Sequence, residues 1–169
     1  MDSVRTEKLA GVNYWEELLR LRDAQRQRMK TAVTLVKGSE LPLERNQQGL
    51  MRWYLHPAIT DTVIRSLMIF VQEIPPGSRS GRVKFQGGQV LHILEGRGHT
   101  ILDGVRYNWE AGDTLNLPLK KRGIVVQHVN DDPETVARFV ACEVNWVDCV
   151  GVDRGSGFEQ IEISPDYKR

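Results

Sequence analysis

The chain has 169 residues, enough for one domain with an apolar core of its own, and no apolar run long enough to cross a bilayer. With 23 basic and 22 acidic side chains its formal charge is +1, so neither nucleic acid nor a membrane is an expected partner. Cys142 and Cys149 are too few for a disulfide framework and match no zinc spacing. The opening residues MDSVRTEKLAGVN carry no apolar leader, and the expected compartment is a reducing cytoplasm.

Asn13 stands three residues before Glu16, a capping-box spacing, and Trp15, Leu18 and Leu19 begin a stripe at helical period. One helix is predicted over about 14–30, within an N-terminal extension of residues 1–31. Its second half carries Arg20, Arg22, Arg26, Arg28 and Lys30. These are read as a solvated face whose cations suit the negative end of the helix dipole, with a contact surface for an acidic partner as the alternative.

From residue 32 the texture changes to short β-type runs: AVTLV (32–36), MRWYL (51–55) and the longer VIRSLMIFVQEI (63–74). RVKFQ, QVLHILEG, HTILDG, VRYNWEAGD, TLNLPL, IVVQHVN and ARFVACEV follow. Asp103-Gly104 between two apolar-rich runs marks a two-residue hairpin. Many short strands with no helix between them predict an all-β fold over 32–150. Residues 151–169 hold few large apolar side chains and are read as a surface tail. The length of the 63–74 run, whose outer face needs covering, predicts a homodimer or a larger assembly.

From Pro75 to Asn130 the chain resembles a cupin. The likeness is carried by IPPGSRSGRVKFQGGQVLHILEGRG and by GDTLNLPLKKRGIVVQHVN with Gly112, Pro118 and Asn130. RWYLHP, HTILDGVRYNWEAGD and NWVDCVGVDRGSGFEQ extend it to small bacterial single-cupin proteins similar to gentisate-type ring-cleaving dioxygenases. The resemblance implies a jelly-roll β-barrel, often dimeric. In catalytic members it implies a mononuclear Fe(II) that cleaves a hydroxylated aromatic acid with dioxygen.

That chemistry needs an open iron site held by imidazoles or a carboxylate. In the family pattern two histidines separated by one residue precede an acidic position, and a third lies four residues before the second motif's asparagine. Here Gly87-Gly88-Gln89 sets the register and Gln89 takes the acidic position. The first two histidine positions fall on Val83 and Phe85, or one residue earlier on Arg82 and Lys84. Strand alternation favours the first register, because the second would bury two cations without partners. The third position falls on Val126. The expectation is therefore a pocket lined by Val83, Phe85, Gln89, Val126, His92 and His128, with no metal and no cofactor. Fe(II) at a site rebuilt from His92, His128 and Gln89 is the alternative.

Arg79, Arg82 and Lys84 are candidate anion-attracting residues at the rim, against the plainer reading of solvated strand charges. Trp53, Tyr54, Trp109 and Trp146 are read first as core and subunit-contact residues, and second as a platform for a planar ligand. Lys120, Lys121 and Arg122 are read as an exposed loop. Glu143 and Asp148 are too isolated in the sequence to be read as an acid–base pair. There is no phosphate-binding glycine loop and no serine elbow.

The leading functional expectation is a metal-free protein related to the ring-cleaving dioxygenases. It would bind a small aromatic or apolar ligand, or serve as a non-catalytic subunit beside a metal-binding cupin. The alternatives are a dioxygenase with a displaced iron site, or a metal-independent isomerase or lyase in which His92 or His128 is the catalytic base.

Overall fold

The structure, a computed structural model, describes residues 2–146, 149 and 159–167. Two compact units are distinguished, residues 1–34 with 61–63, and residues 35–60 with 64–169. The first holds two helices, α1 (Asp2–Leu9) and α2 (Tyr14–Met29). Helix α2 begins where the sequence predicts: the Asn13 side chain accepts a hydrogen bond from the Glu16 amide at 3.2 Å. None of its residues is buried within the chain. The run 32–36 forms no strand and contributes a single parallel bridge, Val33 to Thr62. Its β-branched composition finds no neighbouring strand to complete a ladder. Among the described residues no helix is long and apolar enough to cross a membrane.

The second unit holds eleven strands: β1 (Glu44–Asn46), β2 (Gly49–Leu55), β3 (Leu67–Ile74), β4 (Arg82–Phe85), β5 (Gln89–Glu95), β6 (Arg97–Leu102), β7 (Val105–Glu110), β8 (Thr114–Leu117), β9 (Ile124–Asn130), β10 (Ala137–Val144) and β11 (Glu159–Glu162). They form two antiparallel sheets, ordered β1-β2-β3-β10-β5-β8 and β11-β4-β9-β6-β7. The sequence predicts a closed barrel; the hydrogen bonding instead leaves two sheets, each with its own edges. Strand alternation turns one row of side chains from each sheet into a shared core. Met51, Phe70, Leu91, Phe139 and Ala141 come from the first sheet, and Phe85, Leu102, Trp109, Ile124 and Val126 from the second.

Turn chemistry fits the strand order. Asp103 and Gly104 both take positive φ, 50° and 85°, the pair that a right-twisted two-residue hairpin requires between β6 and β7. Asn130 is 1% exposed, and its side-chain amide donates to the carbonyls of Ile74, Pro75 and Thr135, pinning the end of β9 to two loops. The expected surface tail is corrected in part: residues 159–162 are an edge strand paired with β4, while 151–158 lie outside the described residues.

Candidate functional site

Between the two sheets lies a cavity of about 690 Å³, inside the range of roughly 300–1,000 Å³ common to small-molecule sites. Its apolar walls are Met51, Trp53, Met68, Phe70, Val83 and Phe85. At its buried end stand Gln72, Gln89 and Glu143; at its exposed end are Glu44, Arg45, Gln160 and Tyr167. Trp53 and Phe70 meet with ring centroids 4.9 Å apart, giving one wall a tilted aromatic pair.

Glu143 is placed by the alternation of β10. Ala137, Phe139, Ala141 and Glu143 are all buried, while Arg138, Val140, Cys142 and Val144 are only half-buried. A charged residue therefore sits on the inward row, 3% exposed, in register with Gln89 on one side and Met68 on the other. The Gln89 amide donates to its Oε2 at 3.1 Å. Its Oε1 has no hydrogen-bond partner, the only buried side-chain oxygen or nitrogen in that state among the described residues. Burial pushes the carboxyl up to about 7, against a smaller lowering by the Gln89 hydrogen bond. Near neutral pH this group exists in both protonation states.

Gln89 owes its position to the turn that precedes it. Gly87 has φ +83°, and a Cβ there would lie 2.0 Å from the Pro118 carbonyl oxygen. Gly88 also has positive φ, but its nearest neighbour would be 3.6 Å away. Gly87→Ala is therefore expected to cost roughly 2–3 kcal/mol, and Gly88→Ala roughly 1 kcal/mol from backbone strain alone. Thermal unfolding of the two variants side by side checks this; equal losses would mean that the contact with Pro118 is immaterial.

Val83, Phe85 and Gln89, expected in the pocket, line the cavity. Val126 pairs with Val83 across β4 and β9, but it is 1% exposed and belongs to the packed core rather than the cavity wall. His92 is corrected. On β5 the buried row is Gln89, Leu91 and Ile93, so His92, three positions from Gln89, points outward with Val90 and Leu94. There its Nδ1 meets the Thr114 hydroxyl at 3.0 Å.

His128 is corrected in a different way. It is buried in the core and absent from the cavity lining, with its ring against Phe139 at 4.9 Å and its Nδ1 2.8 Å from the Thr100 hydroxyl. Thr100 also accepts from the Trp109 indole at 3.0 Å. Desolvation holds His128 down to about 4, so it is neutral at pH 7 and serves as a polar link in the wall. His56 and His99 do not line this cavity either. His56 accepts from the Ala58 amide, and His99 meets Asp131 at 2.8 Å.

The candidate rim cations are committed elsewhere. Arg79 and Arg82 each pair with Glu162 at 3.0 Å, and Lys84 with Glu159 at 3.7 Å, so the glutamates of β11 neutralise the cations of β4 and of the segment before it. None of the three lines the cavity. Arg45 does, and its guanidinium donates to the Asp166 carbonyl.

The donor set does not fit the iron that the family resemblance implies. The motif positions offer two valines and a phenylalanine, which have no lone pair to give. Among the described residues no three His, Cys, Asp or Glu side chains come together as a metal site.

The ionisable group of the cavity that sequence reasoning passed over is Glu143. Its signal was the period-two pattern of ARFVACEV, which carries a glutamate in phase with Ala137, Phe139 and Ala141.

No family model matches the chain, and no curated protein matches it. Solved structures do match. A cupin-like protein from Thermotoga maritima is 15% identical over 71% of this chain and 87% of that one, with a TM-score of 0.51. The polyketide cyclase RemF from Streptomyces resistomycificus is 14% identical over 79% and 89%, with a TM-score of 0.58. A predicted oxalate decarboxylase from Thermotoga maritima is 23% identical over 64% and 96%, with a TM-score of 0.51. At these identities the likeness is one of fold: the two sheets form a cupin jelly roll.

Proposed function

We propose that the cavity binds a small, largely apolar molecule and that Glu143 moves a proton on it without a metal, as in an isomerase, cyclase or lyase. A single observation carries the reading: a carboxyl group buried at the end of an apolar cavity, with one oxygen held by Gln89 and the other unpartnered. In the acid form the free oxygen is a donor for a ligand carbonyl. In the carboxylate form it is a base for a C–H or O–H proton, and the low local polarity strengthens either role. Gln89 holds the carboxyl in one orientation and favours its ionised form.

This reading moves the acid–base role from His92 and His128, which face elsewhere, to Glu143. It keeps the expected ligand class and leaves no step for iron. The plainer reading of the same cavity, a ligand-binding protein without chemistry, differs in one measurable respect.

Exchange of the α-hydrogens of enolisable carbonyl compounds, both neutral and carboxylated, is followed by NMR in D2O. Wild-type protein is expected to accelerate the exchange of at least one of them. Glu143→Gln lowers that rate by about 100-fold or more, the scale of a lost general base, and treatment with EDTA leaves it unchanged. Binding without exchange would reduce the protein to a carrier. A rate lost on chelation and restored by Fe(II) would overturn the metal-free reading.

A further inference from the structure

Side-chain amides make up most of the polar part of the cavity lining. Asn46, Gln47, Gln48, Gln72, Gln89 and Gln160 all contribute to it, against three charged side chains, Glu44, Arg45 and Glu143. Two of the amides are tied down by hydrogen bonds: Gln72 donates to the Gln48 backbone carbonyl at 2.7 Å, and the Gln48 side chain to the Gln160 side-chain oxygen at 2.7 Å. The amides present fixed dipoles, both donors and acceptors, and the only buried ionisable group beside them is Glu143.

We infer that this site takes an uncharged molecule, with an apolar ring body and hydroxyl, carbonyl or amide groups, and selects against both carboxylates and amines. The inference rests on the reading of the cavity as a ligand site, but not on proton transfer within it.

Three observations argue against an anion. The only buried ionisable group in the lining is itself an acid. Arg45, at the exposed end of the cavity, already donates one of its N–H groups to the Asp166 carbonyl, and Arg79, Arg82 and Lys84 lie outside the lining, paired with the glutamates of β11. A carboxylate seated at the buried end would lose its water and meet Glu143 with no cation beside it, since Arg45 lies at the exposed end, and each of these disfavours binding. An ammonium would find Glu143, yet both ions would have to be desolvated between Phe70, Phe85 and Met68. In such surroundings the Coulombic gain does not outweigh that cost without several further hydrogen bonds to the pair. A hydroxyl or carbonyl escapes both penalties. The free oxygen of Glu143 accepts from the one or donates to the other, and the aromatic walls of Trp53, Phe70 and Phe85 take the ring body.

The test uses one ring system with three charges: 2-acetylnaphthalene, 2-naphthoate and 2-naphthylmethylammonium, titrated by calorimetry at pH 7.5. The neutral ketone is expected to bind at least tenfold more tightly than either ion. Val83→Trp, which fills the cavity, is expected to weaken ketone binding at least tenfold, and Glu143→Gln to narrow the gap between ketone and naphthoate. Equal or tighter binding of naphthoate or of the amine overturns the charge selection and leaves the ligand-site reading standing. Ketone binding that Val83→Trp does not weaken, or no binding of any probe, overturns both.

Discussion

Glu143→Gln is expected to be more stable than the parent protein by about 3 kcal/mol above pH 7, and to match it below pH 4.5. The sign follows from burial. The native carboxyl titrates at about 7 and the unfolded one at the ordinary 4.5, so between these values the native state holds a proton that the unfolded state has released. The stability contributed by the neutral carboxyl is therefore complete below pH 4.5 and is lost as pH rises through 7, where a charge must stay buried. Glutamine has the shape of the protonated acid at every pH, so the variant carries no such penalty.

His128 slopes the other way. Its native value of about 4 against an ordinary 6.5 gives stability that is present above pH 6.5 and lost as pH falls through 4. In the parent protein these two slopes oppose each other between pH 4.5 and 6.5. In Glu143→Gln the histidine slope stands uncovered. Urea midpoints from pH 4 to 8.5 read both curves, and a difference between them that stays constant with pH would refute the assigned titration of Glu143.

Phe139→Ala is expected to cost about 3–5 kcal/mol, a large part of the roughly 5–15 kcal/mol that holds a domain of this kind together. Phe139 is 1% exposed and lies on the inward row of β10, one of the central strands of its sheet. Its ring meets the edge of His128 from the opposite sheet, so it joins the two layers at their middle. Removing it opens a void between strands that cannot draw together without breaking their ladders. Phe139→Leu keeps most of the volume and is expected to lose less than about 1.5 kcal/mol. Equilibrium urea unfolding of the two variants decides the matter. Nearly equal losses would mean that the sheets repack around this position, and that the core is looser than its burial implies.

Much of the architecture was legible in the sequence because it follows from local chemistry. The Asn13 cap, the Asp103-Gly104 hairpin and the alternation of β4 each depend on a few neighbouring residues, and each appears where its residues demand. The site was legible only in part. Val83, Phe85 and Gln89 were found because a sequence motif set their register. His92 was misplaced because the three-residue step from Gln89 changes face, a consequence of the same alternation applied one strand further. His128 does face inward, but burial turns it into a satisfied wall residue, and no local pattern distinguishes a wall from a cavity. Glu143 was passed over because it was weighed as a lone acid in the chain, whereas its meaning comes from Gln89, 54 positions away. Strand β11 was invisible for a related reason: EQIE has little apolar character of its own, and it is a strand because β4 offers an open edge with opposite charges.

The pairing of β11 with β4 bears on how the protein comes into being. Gln160 reaches Gln48 across 112 residues, and both border the cavity. During synthesis the core strands β2 to β10 emerge and can pair before β11 exists, and so distant a contact is among the slowest for a chain to close. The cavity is therefore completed last, after its apolar walls have formed and while one side still stands open to the cell. On the proposed reading of the cavity as a ligand site, the nascent chain would offer a ligand its widest access through the gap that the final strand borders, just before folding ends.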